Sequence, residues 1–444
     1  MKIPSVAIIG RPNTGKSTLF NTLVGRRKSI VSDTPGTTRD QVAASVQGEH
    51  LDYLMIDTGG IGGGTLDTDF EEDVYKQSLL ALEHADVIVL TLNSREELTS
   101  SDFSIIDLLR TKSRKHVPVI LVLTKFDNPL EIETALPQYY ALGIGQYVIG
   151  VSAIHRIGTE ELSSAIEKEL LQLNFQRVER PEHAPPRVAI IGRTNVGKSS
   201  LVNAFMSETE RQKSPLIVSD IPGTTRDAVD TVIRYHDQDY IFTDTAGIRR
   251  KKDTKTDIET YSYIRSVQEL HSCDIAVLIL DATESLSHQD KRIAGMTVDE
   301  GKGLIILVNK IDLVEKEEKT LRMKEIEHQL QFCKFAPVIP VSAVTKEGML
   351  KIFDMIEAVQ RDRTRRIPTK ELIEWFKRAV YGKPMGSLAN SKLIMQAQEL
   401  PPSFVVFVRD PKSVQVSQLR YLDNSIRKTF GFEGTPIKWI TKSG

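Results

Sequence analysis

The sequence predicts two tandem α/β domains, each with a mostly parallel sheet flanked by helices, followed by a small α+β domain at the C-terminal end. Three observations support this fold class. The octapeptide GRPNTGKS at residues 10–17 recurs as GRTNVGKS at residues 192–199. Four further motifs follow both loops in the same order. Continuous Val, Ile and Leu runs alternate with helical stretches in both halves, which is typical of sheets covered on both faces.

The repeat has the size of a whole domain. Its members are GTTRD at 36–40 and 223–227, DTGGI at 57–61 against DTAGI at 244–248, TKFD at 124–127 against NKID at 309–312, and VSA at 151–153 and 341–343. A period near 185 residues indicates a duplicated domain rather than a solenoid. We therefore predict a first domain over 1–170, a proline-containing linker over 171–186, a second domain over 187–362 and a terminal domain over 363–444.

In the first copy, SVAIIG predicts a strand that leads into the repeated loop. KSTLFNTLVG predicts a helix with Leu19, Phe20 and Leu23 on one side. Buried strands are predicted for ADVIVLTL, VPVILVLTK and YVIGVSA, and a helix for SDFSIIDLLRT. In the terminal domain, the sequence pattern predicts a helix capped by Thr369, two strands, a second helix and a last strand.

Two features of the terminal domain have competing interpretations. Trp375 and Phe376 fit a core better than a platform for stacking bases. GFEG at 431–434 has the letters of a G-x-x-G loop, but it precedes the last strand instead of joining two helices, so we interpret it as a turn.

Composition narrows the classes of protein. An apolar share of 40% and a charged share of 26% fit a globular protein, and no apolar run reaches the length of a membrane span. A strand-like run from residue 6 is expected to leave no room for a secretory signal. Cys273 and Cys333 are isolated, which favours buried thiols in a reducing cytoplasm over a disulfide or zinc site.

The charge is unevenly distributed. Residues 363–444 carry 15 Lys and Arg against 6 Asp and Glu, whereas the whole chain has a net charge of −1. This basic block indicates either an anionic partner or a solvated charged face.

Both repeated loops match G-x-x-x-x-G-K-[ST] between a strand and a helix, which predicts phosphate binding. Lys16 and Lys198 are expected to reach the β- and γ-phosphates, and Ser17 and Ser199 to offer hydroxyls to Mg²⁺. The predicted nucleotide contacts are Gly10, Arg11, Pro12, Asn13, Thr14, Gly15, Lys16 and Ser17 in the first loop, and Gly192, Arg193, Thr194, Asn195, Val196, Gly197, Lys198 and Ser199 in the second.

The next motifs predict a switch around the γ-phosphate. Asp57 and Asp244 end apolar strands and are expected to hold Mg²⁺, while Thr38 and Thr225 of the GTTRD segments add a hydroxyl only while the γ-phosphate is present. Gly60 and Gly247 are expected to present an N–H to that phosphate. The remaining predicted contacts here are Thr58, Gly59, Ile61, Thr245, Ala246 and Ile248.

The last two motifs predict the base. Asp312 can accept hydrogen bonds from N1–H and the N2 amino group of guanine, and adenine lacks this donor pattern, so GTP is favoured over ATP. Lys310 would lie along the ring, and Ser342 and Ala343 would contact the guanine oxygen through the backbone. The remaining predicted base-site residues are Asn309 and Ile311 in the second copy and Thr124, Lys125, Phe126, Asp127, Ser152 and Ala153 in the first.

With these motifs in place, the chain resembles the Der or EngA family of tandem GTPases from about residue 4 to 441. The resemblance implies two P-loop GTPase (G) domains and a KH-like domain, and hydrolysis of GTP to GDP with Mg²⁺. It also implies a monomeric cytoplasmic protein that does not bind a membrane. It implies a role in assembly of the large (50S) ribosomal subunit, with that subunit and its rRNA as partners. In similar G domains the loop asparagine helps to coordinate K⁺, which implies this role for Asn13 and Asn195.

Several positions depart from the family pattern. Thr124 stands where most members have Asn, Thr14 replaces the usual loop Val, and Thr194 replaces the usual Pro. Ile61 and Ile248 occupy the place of the water-orienting glutamine of Ras-like enzymes, so another group must stabilise the transition state. The segment after Asp57 is acidic and the one after Asp244 is basic, which fits either different partners or ordinary loop solvation.

Two alternatives stay open, and a third is disfavoured. The chain could be a GTP-gated RNA-binding scaffold in which only one G domain turns over. The terminal domain could be a docking piece rather than an RNA binder. A tRNA-modifying or membrane-tethered GTPase is disfavoured, because the last 80 residues contain neither a cysteine nor an amphipathic membrane segment.

Overall fold

The computed structural model describes residues 3–25, 43–60, 78–79, 81–82, 85–112, 117–126, 129–177, 184–209, 216–222, 229–236, 238–243, 266–381, 385–389, 391 and 393–443. These residues divide into two compact units, one before and one after the stretch 178–183. Part of the predicted linker, residues 178–183, lies outside the described residues.

The first unit is a six-stranded sheet with helices on both faces. Its elements are β1 Ser5–Ile9, α1 Lys16–Val24, β2 Ala43–Gln47, β3 Asp52–Asp57, β4 Val87–Asn93, α2 Ser100–Lys112, β5 Val119–Thr124, α3 Pro129–Tyr140, β6 Tyr147–Val151 and α4 Thr159–Gln172. The strand order is β2-β3-β1-β4-β5-β6, and only β2 runs antiparallel to its neighbour.

Alternation along the central strands supplies both cores of this sheet. Val6 and Ile8 of β1 pack in one cluster with α1 and α4, whereas Ala7 and Ile9 pack in the other cluster with α2. Leu19, Phe20 and Leu23 of α1 are buried, as predicted. Burial of both faces explains why the strands read as unbroken apolar runs.

The second unit repeats this plan and extends it. It contains β7 Arg187–Ile191, α5 Lys198–Thr209, β8 Leu216–Pro222, β9 Val229–Tyr235, β10 Gln238–Phe242, β11 Ile275–Asp281, α6 His288–Asp299, β12 Gly303–Asn309, α7 Lys319–Gln329, β13 Val338–Pro340 and α8 Met349–Arg363. The seven strands are ordered β13-β12-β11-β7-β10-β9-β8, with antiparallel pairing of β8 with β9 and of β9 with β10. The mostly parallel, helix-flanked fold class is thus confirmed in both units.

The remainder of the second unit is the small α+β domain, in the predicted order. It comprises α9 Thr369–Val380, β14 Leu393–Glu399, β15 Pro402–Val408, α10 Val416–Phe430 and β16 Lys438–Ser443. Trp375 and Phe376 are buried in its core, which confirms the core interpretation. The cap prediction was wrong: Thr369 is the first helical residue, Pro368 occupies the N-cap position and no side chain caps this end.

The small domain packs on the second G-type sheet through the GFEG turn. Gly434 accepts a hydrogen bond from the Leu304 N–H at 2.8 Å and donates one to the Phe335 carbonyl at 2.8 Å. The Glu433 N–H donates to the buried Asp362 carboxylate at 2.8 Å. GFEG is therefore a turn, as predicted. Leu304 lies near the start of β12, so the contact is at the end of the sheet opposite the carboxyl ends of the strands.

Both cysteines are buried and unpaired, as expected from the sequence. Burial raises the pKa of the Cys273 thiol to about 11 and that of Cys333 to about 12. Within the described ranges, no helix is long and apolar enough to cross a membrane.

Candidate nucleotide sites

The two repeated loops follow the same backbone path between a strand and a helix. Asn13 and Asn195 have φ angles of 64° and 65°, and the last loop glycines, Gly15 and Gly197, also adopt positive φ. Helices α1 and α5 begin at the next residue, Lys16 or Lys198. Backbone N–H groups at such a helix start form a concave site for an anion.

The loop lysines are held inside their own loops. The Lys16 Nζ donates to the carbonyls of Gly10 at 2.8 Å and Arg11 at 2.7 Å. Lys198 makes the equivalent bonds to Gly192 and Arg193, both at 2.5 Å. Burial lowers the pKa of Lys16, and the Asp57 charge only partly opposes this. An ammonium held against two carbonyls at a helix start is placed to meet a phosphate.

Ser17 and Asp57 lie together beside this lysine. The Ser17 hydroxyl donates to Asp57 at 2.7 Å, and the Gly59 N–H donates to the other carboxylate oxygen at 3.0 Å. The Thr58 hydroxyl donates to the Ile8 carbonyl at 2.8 Å, which anchors the turn Thr58–Gly60 to β1. Hydroxyl and carboxylate oxygens are the ligand types that Mg²⁺ prefers, so this pair fits that ion.

In the second copy, one asparagine joins the phosphate loop to the base-site loop. The Asn309 Nδ2 donates to the Val196 carbonyl at 2.9 Å, and its Oδ1 accepts from the Ala343 N–H at 3.1 Å. Asn309 ends β12, and all three residues are buried. The phosphate loop and the predicted guanine-oxygen contact are therefore linked through a single side chain.

Thr124 braces the first loop differently. Its hydroxyl lies 2.6 Å from the Thr14 carbonyl and 3.1 Å from the Leu92 carbonyl. The hydroxyl is the donor in both contacts, so Thr124 replaces the Asn side chain as a donor to the phosphate loop. Among the described residues, no hydrogen bond joins Thr124 to Ala153, whose carbonyl accepts from Thr22 at 3.1 Å instead. The brace is conserved between the copies, but the link to the base-site loop is not.

The base-site residues differ in charge between the copies. Lys310 has a φ of 63° and its Nζ lies 2.5 Å from the Asp281 carboxylate at the end of β11. Lys125 has a similar φ of 67°, but Asn93 ends the corresponding strand β4. Asp312 is exposed in the turn Ile311–Leu313. Ser342 is buried, and its Oγ accepts from the Thr345 N–H at 3.0 Å.

In each loop the arginine forms an ion pair with a buried aspartate, and the sequence patterns did not predict these pairs. The Arg11 Nε donates to Asp102 at 2.8 Å, and Arg193 makes the same contact with Asp290 at 3.2 Å. Both aspartates are 1% exposed. Each also accepts from the residue that precedes its helix, Thr99 or Ser287. The T-x-x-D and S-x-x-D spacing is a helix-start signal that could have revealed these aspartates, though not their arginine partners.

Of the other predicted residues, Pro12 and Thr194 lie in the loops. Phe126 and Ile311, which follow the base-site lysines in the chain, are buried, and Ser152 is paired with Ile157 through the backbone. Ser199 follows Lys198 in the first turn of α5, and Gly60 ends the Thr58–Gly60 turn. Thr38, Ile61, Asp127, Thr225, Asp244, Thr245, Ala246, Gly247 and Ile248 lie outside the described residues. Within the described part, no cluster of three or more His, Cys, Asp or Glu side chains could hold a metal ion.

Comparison with known proteins decides the family. A family described as 50S ribosome-binding GTPase matches residues 5–125 and 187–310, and the KH-domain-like family of EngA bacterial GTPase enzymes matches residues 366–442. GTPase Der of Lachnospira eligens is 41% identical over all of this chain and 99% of the relative. The chain belongs to the Der/EngA family of tandem GTPases. GTPase Der of Staphylococcus carnosus is 40% identical over the same shares.

Membership of the Der/EngA family establishes a GTP-hydrolysing switch protein that binds GTP and GDP. It also confirms the tandem G domains and the KH-like domain. Among solved structures, Aquifex aeolicus Era bound to GDP and aluminium fluoride is 21% identical, with a TM-score of 0.29 over 58% of this chain and 92% of that chain.

Proposed function

We propose that this Der/EngA family member is a cytoplasmic, GTP-driven assembly factor for the large ribosomal subunit. The family description names 50S ribosome binding, and the excess of Lys and Arg in residues 363–444 suits an anionic partner. Contacts between Lys or Arg and RNA phosphates would make the binding strongly dependent on salt.

The nucleotide sites are proposed from the repeated loop geometry, and one observation carries them: each loop holds its lysine on two loop carbonyls at a helix start. Lys16 and Lys198 would bind the β- and γ-phosphates. Asp312 and Asp127 would accept hydrogen bonds from guanine, and the Ala343 and Ala153 backbones would contact its oxygen. Thr38 and Thr225 would close on the γ-phosphate as switch residues, with the Gly60 and Gly247 N–H groups.

Magnesium would be held by Ser17, Thr38 and Asp57 in the first site and by Ser199, Thr225 and Asp244 in the second. When bound, this ion neutralises charge on the β- and γ-phosphate oxygens. The chain's own part is to orient the phosphates through loop N–H groups and a lysine that is already fixed, so little reorganisation is needed during reaction. The 2.7 Å contact of Ser17 with Asp57 supports the first of these sites.

Potassium stimulation is a further part of the proposal. The side chains of Ile61 and Ile248 cannot orient water by hydrogen bonding. Asn13 and Asn195 have the same left-handed backbone conformation at matching positions of the two phosphate loops. We expect faster GTP turnover in potassium than in sodium buffer. Equal turnover in the two salts, with no effect of Asn195→Asp in potassium, would exclude this role.

The ribosomal role is tested by sedimentation of cell extract. We expect co-migration with large-subunit particles in a non-hydrolysable GTP analogue and weaker retention in GDP, with loss of retention as salt is raised. A chain that stays at the top of the gradient in both nucleotides would contradict the role in assembly while leaving the GTPase activity untouched.

A second candidate is a GTP-gated RNA-binding scaffold in which only one G domain turns over. The different hydrogen bonds of Thr124 and Asn309 favour this candidate, because only Asn309 connects its phosphate loop to the base-site loop among the described residues. Lys16→Ala and Lys198→Ala, assayed separately for hydrolysis, distinguish the candidates. Near-complete loss of turnover in one variant and none in the other identifies the scaffold.

The small domain has a structural role beside any RNA contact. Its GFEG turn is engaged with Leu304, Phe335 and Asp362 of the second G domain, which favours a docking function for this turn. RNA binding would then use other basic surface. If a chain that ends near residue 362 still binds ribosomal particles, docking onto the second G domain is the only role of the small domain.

A further inference from the structure

Three buried threonines contact one another at the first phosphate loop. Thr14, Thr91 and Thr124 are 1%, 0% and 4% exposed. The Thr14 and Thr91 hydroxyls lie 2.8 Å apart, and the Thr124 hydroxyl donates to the Thr14 carbonyl. Thr91 is in the middle of β4, 77 residues from Thr14, and belongs to none of the sequence motifs.

The second copy replaces this hydroxyl pair with two apolar side chains. Val196 occupies the loop position of Thr14, and Ile279 occupies the strand position of Thr91. The loop glycines confirm the correspondence: a side chain on Gly10 would collide with the Thr91 carbonyl, and one on Gly192 with the Ile279 carbonyl. Both members of the pair therefore differ together between the copies.

The hydroxyl pair ties the loop to two strands. Thr91 can donate to the Ile9 carbonyl of β1 at 3.0 Å, and Thr14 can donate to the Arg11 carbonyl at 2.8 Å. Two hydroxyls have only two protons for these three hydrogen bonds. When one hydroxyl donates to the other, it no longer donates to its own carbonyl. Either arrangement keeps the contact between loop and strand, and burial makes its loss costly.

The Arg11 carbonyl connects this pair to the loop lysine. It accepts from Lys16 at 2.7 Å as well as from Thr14 at 2.8 Å. A displacement of Thr14 therefore moves an atom that orients the ammonium group. In the second copy, Arg193 holds Lys198 while the side chain of Val196 has no hydroxyl to share that carbonyl.

We propose that the Thr14–Thr91 hydroxyl pair positions the first phosphate loop and slows nucleotide release from that site alone. Thr91 is thus a positioning residue for guanine nucleotide, contributed by the adjacent strand. The inference rests on the proposed function of the loop as a nucleotide site.

The test uses the full-length chain carrying Lys198→Ala, so that the first site is read separately. Release of a fluorescent GDP analogue is timed for the parent, Thr91→Val, Thr14→Val and the double variant. One coupled hydrogen bond predicts about two- to tenfold faster release in each single variant, and no further increase in the double variant. Thr91→Ser, which keeps the hydroxyl, restores release to within twofold of the parent.

Ser5→Ala is the matched control, because Ser5 is a buried hydroxyl at the other end of β1, bonded to Asp86 at 3.0 Å. It should alter thermal stability without altering release. The reverse exchange, Val196→Thr with Ile279→Thr in a Lys16→Ala chain, should slow release from the second site. Unchanged release in Thr91→Val, or additive effects of the two single variants, overturns the inference. A Lys198→Ala chain that binds no analogue refutes the proposed first site itself, and the inference with it.

Discussion

The Asn309 side-chain amide donates to the Val196 carbonyl across 2.9 Å and so fixes the end of β12 to the second phosphate loop. Because its Oδ1 also accepts from the Ala343 N–H, the same side chain reaches the base-site loop. In the described part of the first G domain, Thr124 makes the contact with the phosphate loop but not the one with the base-site loop. The two sites thus share a loop geometry and differ in how that loop is connected to its surroundings.

Asn309→Ala should weaken guanine nucleotide binding at the second site by roughly 5- to 150-fold, since two buried backbone groups lose a partner at about 1–3 kcal/mol. The measurement is a titration of fluorescent GDP in a Lys16→Ala chain. Thr124→Ala in a Lys198→Ala chain is the matched variant, and it should have a smaller effect because it leaves Ala153 untouched. A larger loss for Thr124→Ala would contradict the assignment of the two braces.

Gly197→Ala should disrupt the second loop through its positive φ and through one identified contact. A Cβ at Gly197 would collide with the Asn309 Nδ2, whereas a Cβ at Gly15 would lie 3.6 Å from the Thr124 hydroxyl, an ordinary contact. We expect Asn309→Thr to restore part of the nucleotide affinity lost in Gly197→Ala, measured by the same titration. No recovery in the double variant would show that the positive φ of Gly197, and not the collision, sets the cost.

Asp102→Ala should destabilise the first unit by about 1–3 kcal/mol, because a buried carboxylate binds both Arg11 and the start of α2. Asp107→Ala on the same helix is the control: Asp107 is 71% exposed, and its 3.6 Å pair with Arg110 should contribute less than about 1 kcal/mol. Denaturant unfolding, monitored separately for each unit, measures both. Equal free energies of unfolding for the two variants would contradict the role of the Arg11 pair.

Asp281→Asn should remove a stabilisation that depends on pH. Burial acts to raise the pKa of Asp281, but hydrogen bonds from Lys310 and Thr283 outweigh it and hold the pKa below the ordinary 3.8. A depressed carboxylate pKa stabilises the fold above the ordinary value, and this contribution is lost as pH falls through the lowered pKa.

The free-energy difference between the parent and Asp281→Asn, about 1–3 kcal/mol at neutral pH, should therefore shrink only below about pH 4. Urea unfolding at a series of pH values measures it, with the exposed Glu317→Gln as the control. A difference that is constant down to pH 2 would exclude ionisation of Asp281 as its source.

Asp362→Ala should loosen the contact of the KH-like domain with the second G domain. It removes the buried carboxylate that accepts the part-buried hydrogen bond of the Glu433 N–H, at a cost of about 1–3 kcal/mol. Glu433→Ala keeps that N–H and serves as the control, since the side chain of Glu433 is exposed. Hydrogen exchange at the GFEG turn should accelerate in Asp362→Ala only. Unchanged protection there would mean that the turn does not depend on Asp362.

Local patterns were sufficient for most of the fold. The buried strands follow from unbroken apolar runs, because both faces of the sheet are covered. The helix with Leu19, Phe20 and Leu23 follows from periodicity, because one buried face repeats every third to fourth residue. The buried Trp375 follows from apolar content. The Thr369 cap failed because the sequence shows only that a capping side chain lies near the helix start, and the backbone path decides whether that residue is outside the helix or its first residue.

The sequence by itself determined the two phosphate loops, the duplicated α/β fold and the family. Only the tertiary structure decided which distant side chains meet beneath those loops. Arg11 contacts Asp102 across 91 residues, and Thr14 contacts Thr91 across 77. These partners depend on the order of strands in the sheet and on the register of β1 with β4, and neither is encoded in local spacing. Their hydrogen bonds form because burial leaves the polar groups no water to bind.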